Sequence, residues 1–462
     1  MNSTEKSAGN PLGYVPVGSL LRKFAIPSII SMLVSALYNI VDQIFIGQGV
    51  GMLGNAATNV AFPMTTITVA IALLLGIGGA ANFNLSLGRG NEERARKIAG
   101  SAFGALVIFG FTFCIVIRFF LKPVVLACGA TDQTLDYSLA YVGITSLGFP
   151  FYMLATGGNH LIRADGKPTY SMIMVLSGAV INTILDPLFI FVFGWGIRGA
   201  AWATVIGQII SAFMVLIYLP KYMDGSFHRK DFIPDLTCLK SIVSLGSAAC
   251  LNQLAITVVQ ILMNNILRHY GGLSEYGSDI PLAVVGIVMK VNMLFLSVVI
   301  GLSQGAQPII SFNYGARKYS RVKEAYLKAA GAATVVAVIG VLCFQFFPRQ
   351  IISLFGSGDE LYYKFAVKFF RIFLFCTFFN GLQPVTSNFF TSIGKAARGV
   401  FLSMTRQIIF LVPLLIVFPL IMGIDGVMFA GPISDAAAGI LAIVLVIKEF
   451  RKMSLLPEQE HD

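Results

Sequence analysis

Long apolar runs recur along the whole chain, each close to the roughly 20 residues that a membrane-spanning helix needs. Short connectors rich in Gly, Pro, Lys and Arg separate them. Reading from connector to connector predicts twelve spans: 20–46, 60–87, 98–121, 137–162, 169–194, 199–219, 241–267, 281–312, 325–347, 361–392, 399–422 and 426–447. The first 19 residues are polar and carry Pro11 and Pro16. The run after them is longer than a signal-peptide core and is expected to stay as the first span. The expected organisation is a cytoplasmic tail over 1–19, a first lobe over 20–220, a cytoplasmic linker over 221–240, a second lobe over 241–448 and a cytoplasmic tail over 449–462.

The two halves repeat. Gly76-Ile77-Gly78-Gly79-Ala80 matches Gly301-Leu302-Ser303-Gln304-Gly305 at an offset of 225, and Gly166-Lys167 matches Gly394-Lys395 at 228. Gly196-Ile197-Arg198-Gly199 matches Gly423-Ile424-Asp425-Gly426 at 227. Six spans per copy is an even number, so both copies enter the bilayer from the same side as parallel repeats. The fold class expected is therefore an all-α polytopic membrane protein, with 12 transmembrane helices in two parallel six-helix repeats forming two lobes.

Composition sharpens this picture. Of 462 residues, 56% are hydrophobic and 12% charged, and mean hydropathy is +0.79. Such a chain is not a soluble enzyme or a nucleic-acid-binding module. The net charge of +11 would suggest nucleic acid in a soluble protein. Here 23 of the 33 Lys and Arg fall on one set of alternate connectors and both tails, which predicts that both termini are cytoplasmic. The loop clusters are Arg89, Arg94, Arg96 and Lys97; Arg163 and Lys167; Lys221, Arg229, Lys230 and Lys240; Arg317, Lys318, Arg321, Lys323 and Lys328; and Lys395 and Arg398. The six cysteines show no C-x-x-C spacing, and the four histidines, His461 among them, have no partner at i+4. No metal or cofactor is expected.

Three carboxylates sit well inside predicted spans: Asp42, Asp186 and Asp435. An ionisable group there is costly and is a functional candidate by default. Tyr38 stands one turn from Asp42, and Asn182 one turn from Asp186. Pro187 removes a backbone donor and should kink its helix. Asn159 in span four, with Thr204 and Gln208 in span six, would complete a polar pocket in the first lobe. The bland alternative is interhelical hydrogen-bonding glue. A pair of buried carboxylates with no evident intramembrane Lys or Arg in the same lobe fits that alternative poorly, whereas a pair able to take and release a proton is what a proton-coupled carrier requires. Lys290 could balance a carboxylate, contact substrate or snorkel, and Asp435 could pair structurally or act. Gln208, Lys290 and Asp435 are the candidate cavity-lining residues.

Tyr38-Asn39-Ile40-Val41-Asp42, Asn182 to Pro187, Gly305-Ala306-Gln307-Pro308 leading to Asn313-Tyr314-Gly315-Ala316, and Arg163-Ala164-Asp165-Gly166-Lys167-Pro168 are together similar to the multidrug and toxic compound extrusion (MATE) family. The resemblance spans about residues 20 to 450 and looks closest to the prokaryotic DinF-like branch, with its MepA-type exporters. It implies a multidrug efflux antiporter of the prokaryotic inner membrane, active in antibiotic resistance, that expels cationic or amphipathic drugs and dyes in exchange for H+ or Na+. It also implies that Asp42, Asp186, Tyr38, Asn159, Asn182 and Thr204 form the cation-coupling site. Na+ would be held by Asp42, Asp186, Asn182 and Thr204. No acidic residue is evident within spans seven, eight, ten and eleven, which favours the first-lobe site and protons. A monomer without nucleic-acid partners or enzymatic activity is expected. The competing readings are a lipid-linked oligosaccharide flippase, a membrane-embedded transferase and a passive channel.

Overall fold

A computed structural model describes residues 10–277, 279–354 and 359–458. Lys6, one of the basic residues of the N-terminal tail, and His461 lie outside the described residues. The first half is built from α1 (Val17–Gly49), α2 (Met52–Gly88), α3 (Glu92–Phe119), the short α4 (Leu121–Ala127), α5 (Leu135–Ala164), α6 (Pro168–Pro187) and α7 (Gly196–Tyr218). The second contains α8 (Leu236–Gly272), α9 (Asp279–Gly315), α10 (Tyr319–Phe346), the short α11 (Pro348–Ser353), α12 (Glu360–Phe373), α13 (Thr377–Ser392), α14 (Ala396–Met404), α15 (Val412–Met422) and α16 (Ile424–Met453). Among the described residues eleven spans are long and apolar enough to cross a bilayer, and α12 with α13, bent by 50°, makes a twelfth.

A shift of 227 residues carries α2 onto α9 and α3 onto α10 at both ends, and the start of α4 onto the start of α11. The repeat is therefore structural. It also corrects the alignment of the first landmark, pairing Gly78 with Gly305 and Gly88 with Gly315. Two spans differ from the expected runs. The second begins at Met52 rather than near 60, because Gly51, at φ +83°, turns the chain directly from α1 into α2. The tenth is broken between Phe373 and Thr377, where the Thr377 hydroxyl donates to the Leu374 carbonyl at 2.7 Å.

The halves meet along α1 against α9 and α2 against α8 and α9. Apolar burial adds little driving force in lipid, so close backbone approach matters there. Glycine provides it: a Cβ at Gly78 would lie 2.0 Å from the Ile242 carbonyl oxygen, and one at Gly246 would lie 1.8 Å from that of Leu74. Gly301 and Gly305 sit against the α-carbons of Ile29 and Ala25 in the same way. Hydrogen bonds reinforce this seam: Ser241 Oγ donates to Asn82 Oδ1 (2.7 Å), Gln307 Nε2 to the Ile77 carbonyl (3.2 Å) and Asn313 Nδ2 to that of Leu12 (2.9 Å). Each of these contacts lies in the half of the bundle that ends in the basic loops. The first turns of α1 (Val17, Leu20, Leu21, Phe24) also pack into the core of the second half. The basic ends of the halves are thus zipped together.

The connector from α7 to α8 is anchored by Asp165. Tyr218 Oη donates to Asp165 Oδ2 (2.6 Å), and the Met223 N–H to Oδ1 (3.2 Å). Burial pushes this carboxyl up to about 7 although both hydrogen bonds pull it down. The folded state holds the proton more tightly than an unfolded chain near 3.9, so the group's stabilising contribution is present at low pH and is lost as pH rises through about 7. The melting temperature in detergent should fall between about pH 4 and 7, and Asp165→Asn should flatten that fall; an identical profile would contradict the assignment. For the seam, a cysteine at buried Ser311 should be unreactive to maleimide in a background lacking the native cysteines. Gly246→Val should make it label several-fold faster, because the added methyls have no room.

Candidate functional site

Four carboxylates among the described residues are buried: Asp186, Asp231, Asp435 and Glu449. Three of them hold cations. Asp231 pairs with Arg96 (3.2 Å), Asp435 with Arg406 (2.5 Å), and Glu449 with both Lys395 and Arg398. Asp186 faces another acid instead. Its carboxyl meets that of Asp42 within hydrogen-bonding reach, and Asp42 Oδ1 is buried with no partner.

The pair is assembled by three helices. On α6, Asp186 and Asn182 share one face, one turn apart. Close approach of α7 to α6 is set by Gly178 and Gly207, where a Cβ at Gly207 would lie 2.7 Å from the Gly178 carbonyl oxygen. This brings Thr204 beside Asn182. The amide orientation that satisfies both ends of Asn182 donates from nitrogen to Asp186 Oδ2 (3.2 Å) and accepts the Thr204 N–H (3.2 Å). Packing of α1 against α6 then delivers Asp42 and Tyr38. The predicted break at Pro187 takes the form of a widened turn: the α-helix ends at Pro187 and Leu188–Val192 winds as a π-helix. Such turns expose backbone groups beside functional side chains.

Sequence reasoning missed two members. The Tyr141 hydroxyl, from α5, hydrogen-bonds Thr204, and Tyr152 lies close to Tyr38. Nothing in their neighbourhood separates them from the other tyrosines among the 15 in the chain. The only signal is that both belong to one span and lie 11 residues apart, on the same helix face.

Other predicted members fall elsewhere. Asn159 is held near the basic end, where its Oδ1 accepts from Ser171 Oγ and from Arg163 Nη2 (3.2 Å). Ser171 is 15 residues before Asp186 on α6, roughly 22 Å along the axis at 1.5 Å per residue. Asn159 therefore does not join the carboxylates. Arg163, expected in a basic loop, is 2% exposed in the last turns of α5 and donates across the seam to Gln304 Oε1 (2.9 Å). Gln208 is turned onto Gly148 of α5, its Oε1 unpartnered, and so points between helices. Asp435 is bound to Arg406 and does not line a cavity. Lys290 is exposed on α9.

Chemically, the Asp42–Asp186 cluster offers carboxylate, amide and hydroxyl oxygens and no cation. It can take up a proton or a small hard cation such as Na+, which prefers oxygen ligands. No group of three or more His, Cys, Asp or Glu suited to a metal occurs among the described residues.

Comparison with known proteins gives a consistent picture. The MatE family model matches residues 27–188 and 248–417. A multidrug export protein MepA of Staphylococcus aureus (strain MRSA252) is 25% identical over 435 residues, covering 93% of this chain and 94% of that protein. The MepA of Staphylococcus haemolyticus (strain JCSC1435) is 24% identical over 424 residues, covering 92% of each. Among solved structures, a MATE protein in complex with MaL6 superimposes with a TM-score of 0.90 at 22% identity, covering 97% of this chain and 100% of that one. An outward-facing multidrug resistance MATE family transporter of the MOP superfamily gives 0.89 at 22% identity, covering 97% and 99%.

The separation of structural from unpaired acids is measurable. Arg406→Met, which strands a buried carboxylate, should cost about 3–5 kcal/mol of stability, and Arg406→Met with Asp435→Leu should recover most of it. Melting curves in detergent check this, and a single variant as stable as the parent would contradict it.

Proposed function

The chain belongs to the MATE family of membrane transporters, and from that premise we propose that it is a secondary active multidrug exporter. It exchanges cationic or amphipathic compounds for H+ across a prokaryotic cytoplasmic membrane, with both termini inside. The observation that carries this reading is the Asp42–Asp186 pair, acidic and without a cation, where each of the other buried acids among the described residues is neutralised. A structural role would be served better by a paired or apolar group, so the unpaired acids are retained for an ion that comes and goes.

The proposed cycle starts from the state in which the basic, cytoplasmic ends are zipped. Here the site receives a proton from outside. Protonation removes the repulsion between the two carboxyls, lets one donate to the other, and changes how α1 packs on α6. Because α1 also lines the seam against α9, the ion's arrival is transmitted to the contact that holds the halves together. Release of the proton to the cytoplasm restores the charged pair. Alternating access then follows from rocking of the two parallel repeats. Na+ is the competing ion, and the oxygen-rich cluster of Asp42, Asp186, Asn182 and Thr204 would hold it.

Ethidium efflux from cells expressing the protein tests the site. Asp42→Asn and Asp186→Asn should each lower the efflux rate at least tenfold at parental expression, and Thr204→Val should lower it less. Parental efflux by both aspartate variants would overturn the mechanism. Asn159→Ala, remote from the carboxylates, should spare ion coupling even where it weakens the seam, read as an unchanged ratio of protons taken up to ethidium exported.

A further inference from the structure

Lys290 occupies a defined place in the cleft between the halves. It lies 11 residues before Gly301, and at about 100° per residue it returns to within about 20° of the same helix face. Gly301 and Gly305 are the positions at which α9 touches α1, so Lys290 faces α1 above the zipped seam. The register is explicit: Gly305 rests on Ala25 and Gly301 on Ile29 in antiparallel helices. Extended toward the far face, it sets Lys290 level with Ile40, within about 3 Å along the axis of Asp42.

At this depth the surroundings of α9 are open. Lys290 is exposed and forms no ion pair among the described residues, and a Cβ at Gly286, one turn further out, would meet nothing within 4 Å. Across from it, Asn39 and Gln43 of α1 are exposed, and Gln260 and Asn264 of α8 are exposed on the face that carries Gly246 into the seam. These exposed amides face the Lys290 ammonium of the second half at the depth of the acidic pair on the first.

We infer that Lys290 is a specificity-determining residue that binds the anionic group of amphipathic zwitterions, whose cationic end lies toward Asp42. This assignment deepens the exporter reading and rests on it. A pure cation gains nothing from an ammonium at that depth and is repelled by it. A zwitterion spans the cleft with its charges matched, and amides bind either end without a net charge of their own.

A matched dye pair isolates the anionic group. Rhodamine 110 carries a free carboxylate, and rhodamine 123 is its methyl ester and a cation. Binding to the purified full-length protein by fluorescence polarisation, and export from proteoliposomes, should both favour rhodamine 110. Lys290→Gln should lower the ratio of rhodamine 110 to rhodamine 123 about tenfold, and Lys290→Arg should retain it. If the parent handles both dyes and Lys290→Gln leaves the ratio unchanged, the Lys290 assignment falls while the exporter reading stands. Equal weakening of both dyes also overturns it. If the parent exports ethidium but handles neither rhodamine, the Lys290 assignment falls alone; if it exports none of the three, the exporter reading fails and carries this assignment with it.

Discussion

A carboxylate removed from water must be neutralised or hydrogen-bonded, and in a helical bundle within a bilayer there is little solvent to relieve a mistake. The chain meets this constraint in two ways. Asp231, Asp435 and Glu449 are each given a cation, and the pairs hold helices and loops in place. Asp186 is given Asn182 and a second acid. The first three are neutralised within the protein, and the last is left without a cation of its own.

The repeat explains why the site is one-sided. In the first half, α6 and α7 bring Asp186 and Thr204 together. In the second half the corresponding elements bring Arg406 and Asp435 together, and Asp435 stands at the shift of 227 from Gln208. Both arrangements sit beside a π-helical turn, Leu188–Val192 in one copy and Thr405–Leu411 in the other. One copy uses the widened turn for an internally neutralised pair, and the other for an acidic one. The halves then share a seam whose glycines permit backbone contact, with Gly301 and Gly305 of α9 seated directly on Ile29 and Ala25 of α1.

Much of this was legible in the sequence. Apolar run length fixed the spans, and the even span count per copy fixed the parallel repeat. The i, i+4 relations of Tyr38 to Asp42 and of Asn182 to Asp186 were readable because they depend on one helix each. What depends on two helices was not. Asn159 has the residue type expected of a site member, but its depth along α5 is set by chain direction and places it with Ser171 and Arg163. For Asp435 the sequence leaves pairing and action both open, because its cation, Arg406, lies 29 residues away on a neighbouring span, and the structure shows the pairing. Tyr141 and Tyr152 join the site only through packing of α5 against α6 and α7.

The measurement that bears most directly on coupling through Asp42 and Asp186 is ion uptake during ethidium export in proteoliposomes, followed for H+ and for Na+ side by side. The parent should move protons in proportion to the dye exported, and Asp42→Asn with Asp186→Asn should abolish that flux. Coupled ion flux that persists undiminished in the double variant would show that the coupling site lies elsewhere.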